Sequence, residues 1–243
     1  MAIAQKATIE NNKIKMMVWG EPGAGKTRFA LSAPNPLVID LENSTDWYSN
    51  EFNFMVAKVN EQNKLTKNAT ILTHSIVEEI IKGEYKDIET LVIDPVTDLL
   101  ESIETICTKE YENKVLNNKQ VIELNPLQKS KFYAFRRDKT REMISRILNL
   151  DLNIIFIARA KNVWGKSDGQ MTVTGKTFDG LDILEYLPDV VFNLRNIDNK
   201  TIAEVKKSRI GITEKSIEIK GFETIKNIIR DKYKIIKLDK EAV

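Results

Sequence analysis

The octapeptide GEPGAGKT at residues 20–27 constrains the fold more than any other feature of the chain. Its spacing is GxxxxGK[ST], in which small residues let successive backbone N–H groups turn inward around a nucleotide's phosphates. In that motif the lysine, here Lys26, reaches the β- and γ-phosphates, and the hydroxyl, here Thr27, ligates Mg²⁺. The flanks supply the context that the motif needs. Upstream, KIKMMVW (13–19) alternates and then runs apolar like a buried strand; downstream, TRFALSA reads as a short helix ended by Ala33 and Pro34. Strand, glycine loop and helix N-terminus therefore follow in the right order, and the helix dipole favours the anionic phosphates. The expected nucleotide-binding residues are Gly20, Glu21, Pro22, Gly23, Ala24, Gly25, Lys26, Thr27 and Arg28, with ATP and Mg²⁺ as ligands.

Strand-like and helix-like segments alternate after this loop. PLVIDL (36–41) and FMVAKV (54–59) read as strands, a helix carries Ile71, Ile76, Ile80 and Ile81, and IETLVID (88–94) is a buried strand ending in Asp94. Helical periodicity returns from Val96 to about Leu116, NNKQVIELNP breaks it, and a long basic helix runs from about Leu127 to Leu150. LNIIFIA (152–158) is a further apolar strand. This alternation implies an α/β fold with a mainly parallel sheet covered by helices on both faces. Residues 159–180, with four glycines among polar residues, read as a long loop or loose hairpin. DVVFNL and TIAEVKK pair as late antiparallel strands through a turn at 197–200, and SIEIK and FETIKNIIRDKY add a strand and a terminal helix. No repeat or linker divides the chain, so 243 residues are expected to form one domain, with its core at 13–211 and a C-terminal extension at 212–243.

Composition narrows the chemistry. Cys107 is the only cysteine and His74 the only histidine, which excludes a disulfide framework and a Cys/His zinc cluster within one chain. The beginning, MAIAQKATIE, has no apolar signal-peptide core, and no run is long enough to cross a bilayer, so a cytoplasmic protein without a membrane partner is expected. A net charge of +2 carries no argument for nucleic acid; the location of the charge must carry it.

Hydrolysis needs more than a phosphate loop. Mg²⁺ needs a carboxylate, usually at the end of an apolar strand beside the loop, and LVID supplies Asp94 there; the same residue would also serve as a cap for the helix beginning near Val96. Water activation needs another carboxylate near the γ-phosphate. VIDLEN offers Asp40 and Glu42, whose side chains would share one face of an extended chain, and Glu42 is the expected base.

GEPGAGKT followed by VIDLEN resembles the RecA-type ATPases, in which a glutamate after the second strand polarises water. Pro95 occupies the position beside the metal aspartate where other phosphate-loop ATPases keep that glutamate, which favours Glu42. VKKSRIG (205–211) resembles the Lys-x-Arg finger of the RecA superfamily, which projects from a late strand toward a neighbouring subunit's nucleotide; the resemblance assigns that role to Lys207 and Arg209, against the alternative of a solvated basic turn. Arg159 stands where the superfamily often has a polar γ-phosphate sensor. With LVIDPVTDLL, IIFIARAK and PDVVFNL, these segments resemble the phage-encoded RecA-like P-loop proteins with an AAA-type ATPase domain, including the Sak-type single-strand annealing ATPases. The resemblance covers about 13–211 and implies a homo-oligomeric ATPase of recombination in a bacterial host's cytoplasm, stimulated by single-stranded DNA. A phage single-strand-binding or replication protein is the further partner it suggests.

Two regions offer cations and aromatics to a DNA strand. The basic helix carries Arg136 and Arg137 near Tyr133, although Phe132, Phe135, Met143, Ile144 and Ile147 also make an ordinary buried stripe. The 161–176 loop carries Lys161, Trp164, Lys166 and Lys176, and Trp164 serves equally as a subunit-interface anchor. Two other functions remain open: a nucleotide-switched loader or regulator of a replication protein without its own DNA site, and a small-molecule phosphotransferase, against which the finger argues.

Overall fold

A computed structural model describes residues 13–116, 120–121, 124–167 and 170–241. The first twelve residues, part of the break at 117–123 and Gly169 of the glycine-rich stretch lie outside the described residues.

The motif's strand is β1 (Lys15–Gly20), and α1 (Lys26–Leu31) follows the glycine loop. β2 (Pro36–Asp40), β3 (Met55–Lys58) and β4 (Thr90–Asp94) join β1 and the first half of β5 (Asn153–Ser167) in parallel pairs. Helices α2 (Ala69–Ile81), α3 (Val96–Lys114) and α4 (Pro126–Leu148) make the crossovers. The N-terminus of α4 is fixed by a reciprocal capping box between Asn125 and Gln128, with Pro126 at the first helical position, where its missing N–H costs no bond. After β6 (Gln170–Phe178) and a single turn, α5 (Ile183–Tyr186), come β7 (Val190–Ile197), β8 (Lys200–Ser208), β9 (Ser216–Glu218) and α6 (Phe222–Glu241). The strand order is β3-β2-β4-β5-β1-β7-β8-β9, with β6 paired to the far half of β5. This is the expected α/β fold: a mainly parallel sheet, helices on both faces and late antiparallel strands.

Period-two alternation sorts the strand residues between two cores. Met17, Trp19, Ile39, Ile93 and Phe156 face α2, α3 and α4, while Met16, Val18, Val38, Val92 and Ile155 face α1 and α6. Both faces are buried, which explains why the central strands read as continuous apolar runs. β7 and β8 join through Asp198 and Asn199, both at positive φ (50° and 61°), as a two-residue hairpin whose twist matches the strands requires.

At 159–180 the hairpin, of the two forms expected, is the one present: β5 continues past the sheet to Ser167 and pairs antiparallel with β6 as a two-stranded ribbon, its register shifting at Val163/Trp164. Val163 on β5 and Thr172, Val173, Thr174 and Thr177 on β6 carry the strand propensity between the glycines. Among the described residues no helix is long and apolar enough to cross a membrane.

Candidate active site

Parallel pairing carries the chemistry to one edge of the sheet. In the register, Gly20 lies beside Arg159 and Asp40 beside Asp94, and the Leu41 N–H donates to the Asp94 carbonyl at 2.8 Å. The glycine loop, Asp94, the VIDLEN turn and Arg159 are therefore neighbours at the carboxyl ends of the strands, where open α/β sheets bind ligands.

Close packing explains two of the loop glycines. Gly25 has φ of 88°, and a Cβ there would approach Thr201 Oγ1 at 3.0 Å. A Cβ on Gly20 would collide with the Leu194 carbonyl oxygen of β7. Lys26 Nζ donates to the carbonyls of Gly20 (3.0 Å) and Glu21 (2.9 Å), which holds the ammonium across the loop. Burial lowers the Lys26 pKa, against the pull of Asp94, Glu42 and Glu21. The side chain of Arg28 turns elsewhere: its guanidinium pairs with Glu51 and lies over the rings of Tyr48 and Phe52, so only its backbone belongs to the loop.

Thr27 Oγ1 donates to Asp94 Oδ2 at 2.8 Å. Asp94 is only 4 % exposed, and burial pushes its pKa up to about 6; the Thr27 hydrogen bond opposes that rise, and the charges of Glu42 and Asp40 add to it. A hydroxyl and a carboxylate form a hard oxygen pair that would suit Mg²⁺. Among the described residues no group of three His, Cys, Asp or Glu side chains competes as a metal site. Asp94 does not cap α3: the cap position is Pro95, with no side-chain bond.

Asp40 and Glu42 do not share a strand face, as the sequence suggests, because β2 stops at Asp40. Asp40 is fully buried and accepts from the N–H groups of Glu42, Ser44 and Thr45 and from Thr45 Oγ1 (3.2, 3.3, 3.0 and 2.7 Å), so it builds the turn. Asn43, at φ of 55°, completes that turn and leaves Glu42 half-exposed. Glu42 Oε1 accepts from Arg159 Nε (2.9 Å) and Nη2 (2.6 Å), and Arg159 Nη1 lies 2.7 Å from Asp98 Oδ1. Burial works against the Arg159 charge, but Glu42 and Asp98 outweigh it and push its pKa up. Thr97 Oγ1 accepts from the Arg159 N–H (3.4 Å) and donates to the Asp179 carbonyl (2.9 Å), fixing the end of the strand. Asp98 escapes sequence reading: its signal is a position in the first turn after LVIDP, and its partner is distant in the chain. Trp47, 90 % exposed in the 3-10 turn that follows Glu42, also carries no motif.

The remaining candidates lie apart. Lys207 Nζ donates to the carbonyls of Glu185, Tyr186 and Pro188 (2.9, 2.5 and 2.7 Å), and Arg209 donates to those of Tyr186 and Leu187 (2.7 and 3.2 Å). Lys207 pairs with Val191 near the start of β1, so both cations sit at the opposite end of the sheet from their own chain's phosphate loop. Within one chain both cations are engaged by carbonyls at the end of α5 and just beyond it. On α4, Phe132, Ile144 and Ile147 are buried, Arg136 pairs with Glu104 and Arg137 lies 3.6 Å from Asp138. On the ribbon, Lys161 pairs with Asp179 (3.3 Å), Trp164 is 59 % exposed, and Lys166 is exposed. Lys176 reaches Glu21 of the phosphate loop at 2.6 Å, which ties the ribbon to the site.

The family model described as an AAA domain matches residues 12–221. No curated protein matches the chain significantly.

Proposed function

The chain belongs to the AAA-domain family of P-loop proteins, which bind and hydrolyse ATP, and from that premise we propose that it is a Mg²⁺-dependent ATPase of the RecA-like type that anneals single-stranded DNA in phage recombination. The observation that carries the ATPase reading is the 2.8 Å contact of Thr27 with Asp94 beside Lys26, one strand from the Glu42 turn. Backbone N–H groups of the loop and Lys26 hold the phosphates, and Thr27 with Asp94 hold the metal. Bound there, Mg²⁺ neutralises charge on the phosphate oxygens. Glu42 orients the attacking water and takes up its proton as the bond from the γ-phosphorus to the bridging oxygen breaks. Both Arg159 contacts with Glu42 fall on Oε1, which leaves Oε2 to the water, and Arg159 can turn one N–H to a γ-phosphate oxygen when ATP is in place. Lys207 and Arg209, too distant to serve their own site, act on the nucleotide of a neighbouring copy in a homo-oligomer.

The DNA part of the reading rests on the ribbon, which carries an exposed tryptophan and lysines and touches the phosphate loop through Lys176. One observation favours the second reading, a nucleotide-switched loader: Trp47 stands exposed beside the Glu42 turn, where a protein partner would sense the nucleotide. ATP hydrolysis measured at fixed salt without DNA, with single-stranded DNA and with duplex separates them. Stimulation by single strands alone is expected. Equal rates in all three would sink the DNA reading and leave the loader.

A further inference from the structure

A cavity of about 550 Å³ opens beside the outer bend of the phosphate loop, between the β5–β6 ribbon and the β7–β8 hairpin. Three cations line it: Lys176 from the ribbon, Arg195 from β7 and Lys206 from β8. Their partners are fewer. Lys176 has Glu21 (2.6 Å), whereas Arg195 and Lys206 both use Glu204 (3.0 and 2.5 Å), which also accepts from Asn193 Nδ2 at 3.3 Å. Three positive charges thus share two carboxylates. The cation side chains keep 51 %, 61 % and 37 % of their surface in water, and ion pairs as open as these contribute only about 0–1 kcal/mol each. An incoming anion displaces such carboxylates at small cost.

The ribbon extends this charge into a platform. Paired residues of an antiparallel ribbon share a face, and the face of Lys176 and its partner Asn162 continues along β5 to Trp164, opposite Val173 beyond the register shift, and to Lys166, opposite Met171. Val173 lines the cavity, and Trp164 and Met171 are 59 % and 60 % exposed. A cationic groove that leads onto an exposed indole is the combination that binds a strand through its phosphates and stacks its bases without reading sequence.

We infer that this cleft is a single-strand phosphodiester site, in which Arg195, Lys206 and Lys176 take the phosphates and Trp164 stacks a base. The inference rests on the DNA reading above and deepens it: a phosphate that takes Lys176 from Glu21 acts on the residue whose own carbonyl holds Lys26. Strand binding and the lysine of the ATP site are then linked through one residue of the phosphate loop.

The test is binding of fluorescent oligo(dT), oligo(U) and duplex DNA to the full chain, followed by anisotropy over a range of salt concentrations. Wild type is expected to bind the single strands more tightly than duplex, and binding of both oligo(dT) and oligo(U) places the recognition in the shared phosphodiester chain. In the Arg195→Gln/Lys206→Gln variant the slope of log affinity against log salt should fall by about 1.4, about 0.7 for each phosphate no longer neutralised. Glu204→Gln removes the competing carboxylate and should bind several-fold more tightly, a gain that a folding defect does not produce. Wild type that binds no single strand overturns the DNA reading together with the cleft. Single-strand binding whose slope is unchanged in the double variant leaves the DNA reading standing and overturns the cleft, as does duplex bound as tightly as single strands.

Discussion

Asp94 is expected to destabilise the nucleotide-free protein, and replacing it should reveal by how much. A carboxylic acid whose pKa rises on folding holds its proton more tightly in the folded state, so ionising it costs stability. That cost is absent below the unfolded value of 3.8, grows as pH rises toward the folded value of about 6, and is complete above it. The difference of about two pH units corresponds to about 3 kcal/mol. Asn in place of Asp94 keeps an oxygen for the Thr27 hydroxyl and removes the titration, but it buries an NH₂ group whose lack of an acceptor costs about 1–3 kcal/mol. The absolute stability of Asp94→Asn is therefore a poor discriminator, and its pH dependence is a good one. Urea unfolding of both proteins in EDTA between pH 4 and 7.5 should show the Asn variant gaining about 2 to 3 kcal/mol relative to wild type as pH rises. Mg²⁺ and ATP should then stabilise wild type and not the variant, since Mg²⁺ pairs with the ionised form. A stability difference that stays flat with pH would refute the claim that the site stores the cost of a buried charge awaiting its metal.

Two further outcomes follow from the ion cluster and the distant cations. Arg159→Ala should leave unfolding stability within about 1 kcal/mol, because half-exposed ion pairs contribute little, yet lower the turnover number at least about 100-fold while ATP binding persists; unchanged turnover in a phosphate-release assay would remove Arg159 from the mechanism. If Lys207 and Arg209 serve a neighbour, mixing inactive Lys26→Ala with inactive Arg209→Ala should restore hydrolysis, since some interfaces then pair an intact loop with an intact finger. Mixtures as inactive as their parents would show that these cations only cap the carbonyls at the end of α5.

What the sequence made legible were features whose partners are local or whose setting is periodic. The strand, loop and helix around GEPGAGKT need only neighbouring residues to be read, and LVID ending in Asp94 places a carboxylate at a strand's end through hydrophobic pattern alone. The ribbon was legible only as one of two alternatives, a long loop or a loose hairpin, because Gly165 and Gly175 weaken the local strand signal and the pairing that sets the strands is not local. Asp40 looked equivalent to Glu42 because period-two reasoning presumes an extended chain, whereas burial and four hydrogen bonds end the strand at Asp40. The charge partners were hidden for a simpler reason. Arg159 meets Glu42 117 positions away and Asp98 61 away, and no pattern within a window connects them. The Glu204 cluster between β7 and β8 becomes visible only when the hairpin register is known.

The most direct test of the mechanism compares Mg²⁺-dependent phosphate release by wild type and Glu42→Gln, with ATP binding measured on the same preparations. Loss of a positioned base typically costs about 10²–10⁴ in rate, so the variant should bind ATP as wild type does and lose nearly all turnover. Turnover near the wild-type rate with binding intact would contradict the assignment of Glu42 and, with it, the proposed route to hydrolysis.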